Sequence, residues 1–281
     1  MRLPAWHLHL DVLLLVAFLE GAYLVALARL GPRSSPPGER PANGRLIGWF
    51  TSGVATLFVA TAWPVHDLAE RYLLSVHMAQ HLLISLVVPP MLLLGLPPWL
   101  LRKLVSPAPI RWAVRNLARP FVALVLFNFV IVITHWPVLV DLMLRYHLLH
   151  FAGHAALFGS ALLMWWPVIS PLPEAAGLSH PGRMLYLFLQ SLVPTVPASF
   201  LTFGSTPVYR FYAEAPRIWG ISALTDQTIA GLVMKLAGGL VLWGVIAVIF
   251  FRWYGEEQTT GWDALKWRDV ERDIRSEMSR R

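Results

Sequence analysis

The chain has 281 residues, of which 56% are hydrophobic and only 14% charged, and its mean hydropathy is +0.56. This composition is far from that of a soluble domain of the same length and predicts an integral membrane protein. The chain has a formal net charge of +7 and no cysteine. The missing cysteine excludes a disulfide framework, a thiolate metal site and a covalent haem attachment motif.

The apolar stretches are long enough to cross a hydrocarbon core of roughly 30 Å several times. The predicted fold is all-α: a polytopic membrane helix bundle of about seven transmembrane helices in residues 1–254, followed by a charged cytoplasmic C-terminal tail in residues 255–281. The seven predicted spans cover residues 8–30, 45–63, 72–95, 120–137, 150–170, 184–203 and 229–251.

The first span contains Glu20 and has neither a basic leader nor a small-residue cleavage site. We therefore expect a retained helix rather than a cleaved signal peptide. Two roles stay open for Glu20: a ligand or proton relay, and a hydrogen bond between packed helices.

Basic residues give the predicted bundle an orientation. With the N-terminus outside, 17 of the 23 Lys and Arg residues fall in inner segments and five in outer segments. This bias predicts an outer N-terminus and a cytoplasmic C-terminus. The inner loops and the tail carry the net charge. Because the tail also contains acidic residues, we expect it to face lipid headgroups and expect no nucleic-acid partner.

Nine of the ten histidines fall toward the predicted outer face. The segment HMAQH opens span 3 with His77 and His81, which are four positions apart and therefore share one helix face. Three further histidines lead into span 5 at i, i+3 and i+7. These three are His147, His150 and His154.

Two segments of the chain carry the same motifs in the same order. WPVHDLAERYLLSVHMAQH (63–81) and HWPVLVDLMLRYHLLHFAGH (135–154) each contain Trp-Pro-Val, an Asp, an Arg-Tyr pair and His-x-Ala-x-His. This pattern predicts an internal duplication of the helix hairpins formed by spans 2–3 and 4–5. Repeats in membrane proteins commonly place a shared site at their interface, so two parallel helices would each offer a pair of imidazoles.

The predicted metal site consists of His77, His81, His150 and His154. A single His near a membrane interface is usually only an amphipathic residue, but two pairs at metal-ligand spacing on one side favour a shared site. Imidazole binds copper, zinc and iron, thioether favours Cu(I), and carboxylate favours zinc or iron, so the ligand types leave the metal open. Additional candidate ligands are His66, His135, His147, Asp226, Gln227, Met78 and Met234.

The runs HMAQHLLISLVVPPMLLLGLPP, HLLHFAGHAALFGSALLMWWPV and TDQTIAGLVM resemble the CtaG family of cytochrome c oxidase assembly factors, which are multi-span proteins linked to the caa-type oxidase. The resemblance covers about residues 10–251. It implies a bacterial plasma-membrane protein that is needed for maturation of the oxidase and handles copper for its metal centre. The implied partners are cytochrome c oxidase subunits and the lipid bilayer. Lys235 departs from the family pattern, which has an apolar or aromatic residue after Met234.

The leading hypothesis is a non-enzymatic assembly factor that holds copper on the outer side of the membrane and passes it to an oxidase subunit. A first alternative is a zinc-dependent seven-helix membrane hydrolase, in which His ligands and a carboxylate such as Asp226 activate a water molecule. Those enzymes usually carry His-x-x-x-His late in the chain, whereas these pairs lie in spans 3 and 5. A second alternative is a b-type haem protein with haem between the histidines of spans 3 and 5.

Overall fold

The computed structural model describes residues 5–35, 40–169, 172, 177–264, 275 and 278, and for residues 259–264 it describes only the backbone. These residues form helices joined by turns and short loops, with no strand among them. The predicted all-α class is therefore confirmed.

Several helices begin where the sequence supplies a proline for the first turn. Proline suits this position because its fixed φ is helical and its missing N–H would have no intrahelical partner. Pro98, Pro120 and Pro137 each begin a helix in this way. The helices of the first half are α1 Leu10–Arg29, α2 Gly31–Ser34, α3 Gly44–Thr61, α4 Val65–Arg71, α5 Leu74–Gly95, α6 Pro98–Val105 and α7 Ala108–Leu117. Those of the second half are α8 Pro120–Thr134, α9 Pro137–Arg145, α10 His147–Ile169, α11 His180–Leu192, α12 Thr195–Phe203, α13 Arg210–Glu214 and α14, which runs through Ala223–Leu232, Val233–Ala237 and Gly238–Ala264.

Five helical stretches in the described part of the chain are long and apolar enough to cross a membrane. The number rises to seven when two bent pairs are each counted as one span: α3 with α4, bent by 42°, and α7 with α8, bent by 95°. This count of five to seven candidate spans confirms the prediction of about seven transmembrane helices.

The ends of three predicted spans were wrong. The helix predicted to begin at residue 150 begins at His147, and the span predicted to begin at residue 184 begins at His180, with a turn between its two helices, α11 and α12. Predicted span 7 begins earlier, at Ala223, because the Ser222 side chain accepts a hydrogen bond from the Thr225 N–H and caps the helix. The same helix continues to Ala264, ten residues into the predicted tail. The rest of that tail lies outside the described residues, apart from positions 275 and 278.

Helix α5 is the centre of the bundle. Of its most apolar window 56% is buried, compared with 11% for α1 and for α14. It packs against α3, α4, α10 and α14. Since both His77 and His81 lie on α5, this central position takes them out of contact with lipid.

Helices α5 and α14 each contain a π-helical turn, at Leu83–Val87 and Val233–Ala237. A π turn joins residues i and i+5, so the helix accommodates one extra residue, and such turns are frequent at functional sites. The π turn of α5 begins two residues after His81, and the π turn of α14 contacts α5. Both irregular turns therefore lie beside the polar part of the bundle.

The two motif-bearing segments adopt the same order of elements. In each, a Trp-Pro step follows a membrane helix, a short helix comes next (α4 or α9), and a long histidine-bearing helix follows (α5 or α10). Helix α9 packs closely on α10 at Gly153. A Cβ atom at this position would lie only 2.6 Å from the Met143 Sδ atom. The common element order agrees with a duplicated hairpin, but the duplication itself stays a prediction.

Candidate metal centre

Three imidazoles converge inside the bundle. His77 and His81 come from one face of α5, and His154 comes from α10. The His81 Nε2 atom lies 2.8 Å from the His77 Nε2 atom and 3.0 Å from the His154 Nε2 atom. One ring nitrogen of each residue lies within 4.8 Å of the other two. We call this group the three-histidine centre.

Hydrogen bonding between the three rings does not satisfy all of these contacts. In its ring plane each imidazole nitrogen carries either a proton or a lone pair. The His81 Nε2 atom therefore forms one good hydrogen bond, to His77 or to His154, and its other close contact is left without one when the rings are neutral. A cation between the three nitrogens would accept a lone pair from each. The donor set of three imidazoles fits copper or zinc.

Tyr212 of α13 fixes the orientation of one ligand. Its hydroxyl lies 2.6 Å from the Ala69 carbonyl oxygen, which only accepts, so the hydroxyl donates there. The His77 Nδ1–H then donates to the Tyr212 oxygen over 2.8 Å, which leaves the lone pair of His77 on Nε2, facing the centre. Burial, with a smaller contribution from the Asp226 charge, raises the pKa of the Tyr212 phenol well above its ordinary value. The hydroxyl therefore stays protonated and keeps its donor role.

Glu70 of α4 binds two histidines next to the centre. Its Oε1 atom lies 2.6 Å from the His150 Nδ1 atom and 3.1 Å from the His66 Nε2 atom. Gln80 donates its amide N–H to the His66 Nδ1 atom over 3.3 Å, so His66 carries its proton on Nε2, toward the carboxylate. A carboxylate behind a histidine fixes its tautomer and makes the other nitrogen a better ligand.

His150 lies at the edge of the three-histidine centre. Its Nδ1–H faces Glu70, so its lone pair is on Nε2, and that atom is buried without a hydrogen-bond partner. The His150 ring centroid is 4.3 Å from that of His154 and 5.5 Å from that of His77. Such an orphaned buried acceptor fits a position where a cation binds or passes.

Comparison with models of protein families shows the family to which this chain belongs. The family model described as cytochrome c oxidase caa3 assembly factor (Caa3_CtaG) matches residues 21–256. The chain belongs to this family. The family resemblance predicted from the three sequence runs is therefore confirmed.

The chain also has curated relatives in mycobacteria, all described as uncharacterized proteins. Those of Mycobacterium bovis and Mycobacterium tuberculosis are each 28% identical over 233 residues, which is 76% of this chain and 35% of the relative. That of Mycobacterium leprae is 27% identical over 228 residues, 75% of this chain and 34% of the relative. The chain thus spans about a third of the length of these relatives. No solved structure matches it significantly.

Other predicted ligands lie around the centre. The His135 Nδ1–H donates to the Ile131 carbonyl over 2.8 Å, and its ring centroid is 5.3 Å from that of His81. Met78 lines the cavity formed by His77, His81 and His154, and both Met78 and Met234 line a second cavity that His81 and His135 also line. His147, by contrast, is exposed and takes no part in these contacts.

Two predicted ligands on α14, Asp226 and Gln227, form hydrogen bonds with other elements. The Asp226 carboxylate accepts hydrogen bonds at the N-terminus of α5, from Leu74 N–H at 2.7 Å and from the N–H and hydroxyl of Ser75. The Gln227 side chain accepts from the Val208 N–H at 2.6 Å and donates to a loop carbonyl. Asp226 thus caps the helix that carries two of the three ligands.

Glu20 and Lys235, to which the sequence assigned no single role, each contact a neighbouring helix. Glu20 accepts a hydrogen bond from the Thr51 hydroxyl at 2.7 Å, which joins α1 to α3. Lys235 is exposed, with its ammonium 6.0 Å from the centre of the Phe203 ring. The first contact matches the helix-packing alternative for Glu20.

Sequence reasoning missed Glu70 and Tyr212. A signal for Glu70 exists, because it follows His66 by four residues and so shares its helix face. No comparable signal exists for Tyr212, since its contact with His77 joins residues 135 positions apart and depends on how the short helix α13 folds back.

Proposed function

We propose that this chain takes part in the assembly of a caa3-type cytochrome c oxidase by binding copper at the three-histidine centre and delivering it to an oxidase subunit. The observation that carries the proposal is the convergence of three Nε2 atoms from His77, His81 and His154 within the bundle. Membership of the assembly-factor family supports the choice of the oxidase as the partner.

The surroundings of the centre favour Cu(I) over hydrolytic zinc. Among the described residues, the carboxylates near the centre are engaged elsewhere: Glu70 binds His66 and His150, and Asp226 caps α5. In the zinc-hydrolase alternative, a carboxylate such as Asp226 would have to reach the metal-bound water. Cu(I) needs no such group, and a site without thiolate permits release of the ion.

Direct contact between the ligands also disfavours haem. The facing rings of His81 and His154 have centroids 4.9 Å apart and nitrogens 3.0 Å apart. A porphyrin held between histidines of α5 and α10 would have to separate these rings. An optical spectrum of the purified protein tests this alternative, because haem absorbs strongly in the visible range and Cu(I) does not.

The proposal places the centre toward the outer face of a bacterial plasma membrane, with the N-terminus outside and the C-terminus in the cytoplasm. It is supported by the excess of basic residues in the segments assigned to the inside. Reporter fusions at Arg111 and after Arg252 are expected to be active inside, and one at Asp141 outside. An active external reporter at Arg111 would reverse the assignment.

A deletion strain tests the function. Without this protein, we expect oxidase activity to fall while the oxidase polypeptides are still made, and added copper to restore part of the activity. A His81→Ala variant should fail to complement, whereas His147→Ala should complement because His147 is exposed and outside the centre. Normal oxidase activity in the deletion strain under copper limitation would rule out the assembly function.

A further inference from the structure

The imidazoles of this chain continue beyond the three-histidine centre toward the N-terminal segment. The His150 ring is 4.3 Å from the His154 ring, and Glu70 joins His150 to His66. The His66 ring in turn contacts the His9 ring edge-on, with centroids 4.8 Å apart. These contacts form an unbroken row of side chains that ends at the centre.

A second carboxylate supports the outer end of this row. The His9 Nε2–H donates to the Asp67 Oδ2 atom over 2.8 Å, and His7 lies 3.7 Å from the other Asp67 oxygen. Asp67 itself is almost fully buried, and Arg71 is its other charged neighbour, at 3.7 Å. The N-terminal segment before α1 is thereby held against α4.

Exposure falls steadily along the row. The exposed fraction of the side chain is 50% for His7, 19% for His9, 17% for His66 and 7% for His150. His77, in the centre, is 3% exposed as a residue. In the centre, His81 is buried like His77, and His154 is partly buried. The row therefore leads from an exposed end to a mostly buried site.

We propose that these four histidines, which we call the loading row (His7, His9, His66 and His150), pass Cu(I) inward to the three-histidine centre. The inference rests on the proposed copper-binding function and adds the route and direction of loading. At each step one Cu–N bond forms as another breaks, with no change in oxidation state. At His66 the ion also displaces the Gln80 amide N–H from the Nδ1 lone pair.

Two carboxylates, Asp67 and Glu70, lie beside the loading row and supply negative charge along it. Moving a charge from water into a low-dielectric interior is costly unless an opposite charge lies close by. Asp67 lies beside the outer pair of histidines and Glu70 beside the inner pair. A monovalent cation would therefore meet a compensating negative charge at both stages of entry.

A purely structural role for His9 makes a different prediction. In that case the His9 bond to Asp67 only fastens the N-terminal segment, and any side chain that donates to Asp67 from the same position would serve. His9→Gln keeps an N–H donor near the position of Nε2 but removes the imidazole ligand. This substitution separates the two roles.

The test uses the purified full-length protein in lipid nanodiscs, with Cu(I) supplied as its coloured bicinchoninate complex. The rate of colour loss measures loading, and the final colour measures the amount bound at equilibrium. We expect His9→Gln and His66→Gln to slow loading by at least about tenfold, which corresponds to a barrier raised by about 1.4 kcal/mol, because each substitution removes one imidazole from the route. The amount bound should stay unchanged. His147→Ala, an exposed histidine outside the row, should load at the wild-type rate.

The outcomes separate this inference from the proposed function. If the wild-type protein binds no Cu(I), the copper-binding function itself fails. If it binds Cu(I) and both Gln variants load at the wild-type rate, only the loading row is overturned. The row is also overturned if His9→Ala is slow but His9→Gln is normal, since this result identifies a structural fastening.

Discussion

The two histidine-bearing helices carry the same His-x-Ala-x-His motif but use it differently. Helix α5 supplies both of its histidines to the three-histidine centre, whereas α10 supplies His154 and turns the Nδ1 atom of His150 toward Glu70. Glu70 belongs to α4, and the corresponding position before α10 is Leu144. The neighbouring short helix, not the motif, thus sets the role of each histidine.

The shared Asp residues of the two segments also differ in what they support. Asp67 accepts a hydrogen bond from His9 and holds the N-terminal segment. Asp141, its counterpart, accepts from the Phe211 N–H at 2.9 Å and positions α13, which carries Tyr212. The two equivalent positions therefore support different parts of the site. Asp67 binds His9 at the start of the loading row, and Asp141 positions the helix whose Tyr212 contacts His77.

The largest expected effect distinguishes the two histidines of α10. His154→Ala removes a ligand of the centre and should weaken Cu(I) binding by more than about a hundredfold, beyond the usual range for a supporting group. His150→Ala removes a residue at the edge and should cost less. Competition with a Cu(I) chelator measures both affinities, with His147→Ala as the control. Equal losses for His150 and His154 would show that the two helices contribute symmetrically.

The second-largest effect is expected at Glu70, which the first motif-bearing segment has where the second has Leu144. Glu70→Gln keeps the shape of the side chain but removes the negative charge that orients His66 and His150. We expect Cu(I) affinity to fall about 10- to 100-fold. Asp141→Asn is the matched control, because an amide oxygen still accepts from the Phe211 N–H and Asp141 has no contact with the centre. An unchanged affinity in Glu70→Gln would contradict the supporting role.

A smaller effect is expected behind His77. Tyr212→Phe removes the oxygen that accepts from the His77 Nδ1–H, so the ring loses the bond that fixes its tautomer. The affinity for Cu(I) should fall about tenfold, at the lower end of the range for supporting groups. Tyr209→Phe, which loses a hydrogen bond to the His135 carbonyl, is the control. A larger loss in the Tyr209 variant would point to a general packing defect instead.

The sequence predicted the parts of this site that depend on helical periodicity. His77 and His81 share a face because they are four residues apart, and His154 lies at the same level of a second helix that enters in the same direction. The roles of Glu70, Tyr212 and Asp226 depend on how separate helices pack, which periodicity along one helix does not report. Asp226 shows the difference clearly, since its position at the level of the histidines suggested a ligand and its contacts make it a helix cap.

The helix ends were harder to predict than the spans for a related reason. Hydropathy locates the apolar middle of a helix, but caps and polar extensions decide where it stops. Helix α14 illustrates both effects, because Ser222 caps it before the apolar region begins and its last turns are polar. Its start was therefore placed six residues too late.

The π-helical turn at Leu83–Val87 sets the rotation of the second half of α5 relative to the first half, which carries the histidines. Removing one residue from this turn would rotate Val88–Gly95 by about 100° relative to His77 and His81. A relative that keeps the histidines but has a regular helix should therefore align with a single-residue gap at this turn, followed by a different set of inward-facing apolar positions. In an alignment of the family, the presence or absence of that gap would report the local backbone geometry.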